Sequence, residues 1–133
     1  MVDIIDIKEL TGHIKPIANR GPHTTEDEVF GAFRSLGVGD FKNADLYSSG
    51  FDSNAGWEHH SAGDELVPVI AGAPVFDIIV KDEIETLQLT SGNVVIVPKG
   101  CWQRFRSADD VTLMTTTPKG EVPHLFVNDP RET

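Results

Sequence analysis

From about residue 44 onward, apolar and polar positions fall into short runs separated by Gly, Asn, Asp, Ser or Pro. The runs are ADLYSSGF, GWEHH, ELVPVIAG, APVFDIIVK, ETLQLT, NVVIVP, CWQRFR and VTLMTTTP. Each is rich in Val, Ile, Thr and aromatic residues, which suit a pleated, half-buried surface. Short strands at this spacing predict an all-β sandwich or barrel rather than an α/β fold. The segments SAGD, KDE and TSGN carry the residues of tight connections and predict hairpin-like turns. Upstream, HIKPIANRGPHTTEDE is broken by two prolines and a glycine and reads as an arm. The one helix predicted there starts at Thr25, with Glu28 three residues later completing a capping box before Val29, Phe30 and Phe33. The expected organisation is an N-terminal arm with that short helix over residues 1–43 and a β-barrel over 44–133, forming one domain.

Two strands are apolar on both faces. In ELVPVIAG, Val67 and Val69 lie opposite Leu66 and Ile70, and NVVIVP behaves the same way. A single sandwich buries one face of each sheet, so the second face needs a cover from the arm or from a partner subunit; a homodimer is expected. Pro68 has no N–H for a ladder bond, which predicts an edge or a neighbouring bulge.

Composition narrows the partners. The chain has 133 residues and a formal net charge of −10. That charge opposes nucleic-acid phosphates and anionic membrane surfaces, so neither is expected as a partner. The single cysteine, Cys101, excludes an intrachain disulfide and a CxxC motif. The start, MVDIIDIKEL, lacks a basic segment followed by an apolar run, and no stretch is long and apolar enough to span a membrane. A cytoplasmic location is the expectation.

Candidate chemistry concentrates in WEHHSAGDE. Alternation along a strand places Glu58 and His60 on one face and Trp57 and His59 on the other. Glu65 follows the SAGD turn and can face the same interior if that turn closes a hairpin. In CWQRFR, Cys101, Gln103 and Phe105 share one face. Trp102, Arg104 and Arg106 share the other, which reads as solvated, so Gln103 points inward. Cys101 is expected to line the barrel, Trp57 and Trp102 to pack, and His59 to lie on an outer surface. Tyr47, Phe76 and Phe105 read as core residues within reach of a pocket. His13, His23 and His124 stand in loop-like segments, of which only His124 could reach the barrel mouth through the tail.

These spacings resemble the cupins. The first cupin motif is G-x5-H-x-H-x3,4-E-x6-G, and Glu58, His60, Glu65 and Gly72 fall on its H, H, E and G positions. The second is G-x5-P-x-G-x2-H-x3-N. Gly92, Pro98 and Gly100 match it, with Gln103 at the histidine position. More narrowly, WEHHSAGDELVPVIAG and PKGCWQRF resemble small bacterial cupins with W-E-x-H-x-x-G-D-E. Departures are Asp52 for the first glycine, Glu58 for the first histidine, Gln103 for the motif-two histidine and Ser107 for the final Asn.

The resemblance implies a double-stranded β-helix, or jelly-roll barrel, with a small-molecule ligand in it. It also implies a divalent metal at Glu58, His60, Glu65 and Gln103, and no organic cofactor. Two carboxylates, one imidazole and an amide oxygen form a hard donor set acceptable to Mn²⁺, Mg²⁺ or Fe²⁺. Mn, Fe, Ni or Zn are the ions to look for. The implied function is metal-assisted isomerase- or dioxygenase-like chemistry on a small oxygenated substrate, with Glu58 or Glu65 as candidate catalytic base. The alternative is a non-catalytic ligand-binding cupin, in which Glu58, Gln103 and His60 form a hydrogen-bonded network in place of a metal site.

Overall fold

A computed structural model describes residues 4–36, 44–50, 53–54, 56–116 and 123–132. Each of the eight strand-like runs overlaps a strand: β2 (Ala44–Ser49), β4 (Trp57–His59), β5 (Glu65–Ala71), β6 (Val75–Val80), β7 (Glu83–Gln88), β8 (Val94–Val97), β9 (Trp102–Ser107) and β10 (Val111–Thr116). Short strands β1 (Phe33–Ser35), β3 (Ser53–Asn54) and β11 (His124–Leu125) complete two antiparallel sheets. One runs β1-β2-β10-β5-β8; the other runs β11-β4-β9-β6-β7, with β3 paired to β9. The predicted mostly-β fold is thus a jelly-roll sandwich.

Between the sheets lies a core that includes Tyr47, Val67, Val69, Phe76, Ile78, Val97 and Leu113. Its members come from alternate positions of facing strands, as the pleat requires. A second cluster covers the outer side of the first sheet. There Ile14, Leu36, Ala44 and Leu46 pack with Ile7 and Leu10 of a short helix, α1 (Ile7–Thr11). The arm therefore covers part of the two-sided apolar surface. It leaves a strip formed by Leu66, Val94 and Ile96, with Ile96 65% and Val94 55% exposed.

The capping box forms as expected: Thr25 Oγ1 accepts from the Glu28 N–H at 3.2 Å, and the Glu28 carboxylate accepts from the Thr25 N–H at 3.3 Å. The helix it opens, α2 (Glu26–Ala32), stops before Phe33, which starts β1 instead.

Three expectations need correction or refinement. SAGD and TSGN do not close hairpins, because β4 and β5, like β7 and β8, belong to different sheets. Glu65 therefore meets Glu58 across the sandwich rather than along one ribbon. Pro68 sits in an interior strand, flanked by β8 and β10. The β10 pairing passes from Thr112–Ala71 to Leu113–Val69, so Ile70 is an extra residue two positions from Pro68. The Arg104 and Arg106 face is not simply solvated. Both guanidiniums bond Asp77, which is 2% exposed, at 2.8 and 2.7 Å, and Thr86 donates to it at 2.8 Å. Arg104 also lies 4.5 Å from the ring centroid of buried Trp57. The Trp57 indole N–H reaches the Val127 carbonyl at 3.1 Å, so the C-terminal segment closes over this face. Strand alternation marks which residues share a face but not what later chain covers it.

The KDE turn is a two-residue hairpin in which Lys81 and Asp82 both have positive φ, pairing Val80 with Glu83. Gly72, at φ +90, passes so close to the next connection that a Cβ would stand 2.5 Å from the Asp110 carbonyl oxygen. Among the described residues, no helix is long and apolar enough to cross a membrane.

Candidate functional site

The fold brings the four predicted residues together. Glu58 lies on β4, His60 follows that strand, Glu65 opens β5 from the opposite sheet, and Gln103 sits on β9 as the pairing partner of Glu58. His60 Nε2 stands 3.3 Å from Glu58 Oε2 and 3.4 Å from Glu65 Oε2. One ligand atom from each of Glu58, His60 and Glu65 falls within 4.8 Å of the others. The Gln103 amide N–H2 donates to Glu58 Oε2 at 3.2 Å and makes a long contact of 3.5 Å with Glu65 Oε1.

The electrostatics follow from this crowding. Burial raises the Glu58 pKa, but hydrogen bonds and charge from His124 and His60 outweigh it and hold the carboxyl at about 2. The hydrogen bond to Glu58 raises the His60 pKa; burial opposes the shift, and the Glu65 and Glu58 charges reinforce it. Among the described residues, the buried atoms His60 Nδ1 and Gln103 Oε1 have no hydrogen-bond partner. Gln103 is 1% exposed, so its unpaired oxygen carries a real cost.

Glu58, His60 and Glu65 form one wall of a cavity of about 300 Å³, which Phe33, Tyr47, Phe105, Leu113 and Arg20 also line. Such a volume is at the small end of ligand cavities, and the mixture of apolar walls with a few converging polar groups is typical of them. His59 faces away and packs on Trp102, ring centroids 5.1 Å apart. Cys101 packs at the edge of the core, Phe76 is buried within it, and His13 and His23 lie exposed outside the site.

His124 does reach the mouth. Its strand β11 pairs with β4 so that His124 lies opposite Glu58, and its Nε2 is 2.9 Å from Glu58 Oε1. Arg20 was not legible as a site residue, for it stands in the irregular stretch IANRG without a period or motif.

No family model matches the chain, and no curated protein matches it in sequence. Solved structures do resemble it. A recombinant oxalate oxidase in complex with glycolate has a TM-score of 0.60 at 10% identity, covering 70% of this chain and 54% of its own. An oxalate decarboxylase variant from Bacillus subtilis has a TM-score of 0.56 at 13% identity, over 62% of this chain and 23% of that one. Drosophila melanogaster CENP-C bound to CAL1 has a TM-score of 0.59 at 9% identity, over 65% and 69% respectively. The chain thus spans about half the length of the oxalate oxidase.

Two antiparallel sheets closed around a polar mouth define a double-sheet jelly-roll protein. Within that class, the chain resembles oxalate oxidase and oxalate decarboxylase in fold.

Proposed function

We propose that this chain is a cupin that binds a small oxygen-bearing molecule in its barrel, beside a divalent cation held by Glu58, His60 and Glu65. The observation that carries this reading is the convergence of those ligand atoms within 4.8 Å in the wall of the cavity. The donor set fits: two carboxylates and an imidazole nitrogen suit Mn²⁺ or Fe²⁺, and His60 already presents Nε2 to both carboxylates. Gln103 fits as a fourth donor only after its amide turns over, bringing the partnerless Oε1 toward the carboxylates.

A divalent cation there supplies Lewis-acid polarisation of a keto, enol or carboxylate group. The chain's own groups divide the remaining work. Glu65 and His60 are deeply buried and anchor the site. Glu58 is the more exposed carboxylate, but at about pKa 2 it is a weak base while His124 holds it. Proton abstraction of the isomerase- or dioxygenase-like kind requires that hydrogen bond to open first.

A second reading is a non-catalytic small-ligand cupin, favoured by the Gln103 amide. Its donors face the carboxylates and offset them without a cation. Thermal-shift titration of dialysed protein with Mn²⁺, Fe²⁺, Ni²⁺ and Zn²⁺ separates the two. A saturable rise in Tm that disappears in Glu65→Ala supports the cation reading. No rise with any of the four leaves the hydrogen-bonded network.

A homodimer belongs to the same proposal. The Leu66, Val94 and Ile96 strip borders the unpaired edge of β8, so a second copy would cover apolar surface and edge together. Carriage of a lone half-buried thiol, Cys101, accords with a cytoplasmic setting.

A further inference from the structure

The candidate cation site leaves the one arginine that lines the cavity unused. Arg20 is half-buried and lines the same space as Glu58, His60 and Glu65. Among the described residues, Arg104 and Arg106 are tied to Asp77 and Arg131 to Asp129. No carboxylate of a described residue lies within 4.0 Å of Arg20, including Asp45, which shares the cavity. Its guanidinium instead rests 5.3 Å from the Tyr47 ring centroid.

That perch is fixed from several sides. Tyr47 packs on Phe33 with centroids 4.6 Å apart, and its hydroxyl pairs with Ser49 at 2.8 Å. Ahead of Arg20, Ile17 bridges to Ser49, and its carbonyl accepts from the Gly50 N–H at 2.7 Å. Behind it, the Gly21 N–H donates to Thr24 Oγ1 at 2.9 Å. Asn19 takes the left-handed conformation at φ 53 that turns the chain between these anchors. The backbone therefore holds the arginine at the cavity before any ligand arrives.

A guanidinium taken partly out of water without a counter-charge is costly, and its planar fork matches a carboxylate in two parallel hydrogen bonds. Val29, Phe33, Phe105 and Leu113 offer apolar wall for a carbon frame beside it. Glu58 and Glu65 would repel an anion unless a divalent cation offsets them.

We propose that Arg20 is the specificity-determining residue of this cavity and that the ligand is a small organic carboxylate. This rests on the reading of Glu58, His60 and Glu65 as a cation site. The carboxylate lies against Arg20, while the oxygen-bearing part of the molecule faces the cation site. The limited volume disfavours larger phosphate esters.

The test is calorimetric titration of metal-replete protein with glycolate, 2-oxoglutarate and benzoate, each beside its primary amide. At least one acid is expected to bind saturably, with its amide weaker by about tenfold or more. Arg20→Gln is expected to remove that preference while retaining its metal, and Arg20→Lys, which keeps the charge without the fork, to fall between. Equal binding of acid and amide, an undiminished preference in Arg20→Gln, or no saturable binding by any acid would overturn the proposal. Metal content measured on the same samples separates the failures. Metal held by wild type and released by Glu65→Ala, with no Arg20-dependent preference, removes this inference alone; a wild-type chain that takes up no metal removes the underlying reading with it.

Discussion

Gln103 has one amide and two ways to set it. With its nitrogen toward Glu58 and Glu65 it neutralises part of their charge, at the cost of a buried carbonyl oxygen without a partner. With its oxygen inward it becomes a weak fourth ligand. Gln103→His replaces that neutral amide by an imidazole, and divalent-ion affinity measured by competition with a chelator is expected to rise. Unchanged affinity together with lower stability would identify the amide as part of a hydrogen-bonded network instead. The four central residues were legible in the sequence because glycines and a proline at fixed spacings pin the strands that carry them. His124 was legible only as a residue within reach of the mouth, and Arg20 not at all. One depends on a strand pairing 66 residues away in the chain and the other on where an irregular arm is pinned.

Asp77 faces the other side of the second sheet, together with Arg104 and Arg106. Burial raises its pKa, but hydrogen bonds from Arg106, Arg104 and Thr86 lower it more, leaving a net downward shift from 3.8. Because the folded value lies below the unfolded one, this group's stabilisation is present above the unfolded pKa. It is lost as pH falls through the folded value. Asp77→Asn is expected to cost about 3 kcal/mol at neutral pH, since it leaves two partly buried guanidiniums without their counter-charge. In denaturant melts the gap between wild type and Asp77→Asn should narrow as pH falls below about 4. A gap constant with pH would show that the carboxylate's charge is not what holds Arg104 and Arg106.

At the scale of elements, alternation identified the long strands because each half-buried strand repeats with period two. It did not reveal which strands pair. SAGD therefore read as a hairpin turn, although it carries the chain from one sheet to the other. The same blindness made the Arg104 face look solvated, since neither Asp77 on β6 nor the C-terminal cover announces itself in CWQRFR. Gly72 lets the end of β5 pass beside the connection into β10. Gly72→Ala combines a positive φ with a 2.5 Å clash against backbone, and is expected to lower unfolding free energy by about 2 kcal/mol or more in urea melts. A loss within about 0.5 kcal/mol would mean that the two connections do not pack in direct contact.

For the whole molecule, the arm covers part of one outer sheet face and the C-terminal segment part of the other, while the Leu66, Val94 and Ile96 strip at the β8 edge stays bare. Light scattering on the 14.5 kDa chain is expected to return a dimer mass, and Ile96→Glu a monomer with its cavity intact. A monomeric wild type would leave that strip as bare surface. The central claim, however, lies in the barrel, where Glu58, His60 and Glu65 converge. Elemental analysis of protein purified without added metal or chelator tests it most directly. The prediction is about one equivalent of Mn, Fe, Ni or Zn per chain, lost in both His60→Ala and Glu65→Ala. Less than about a tenth of an equivalent, with no divalent cation stabilising the fold, would contradict it.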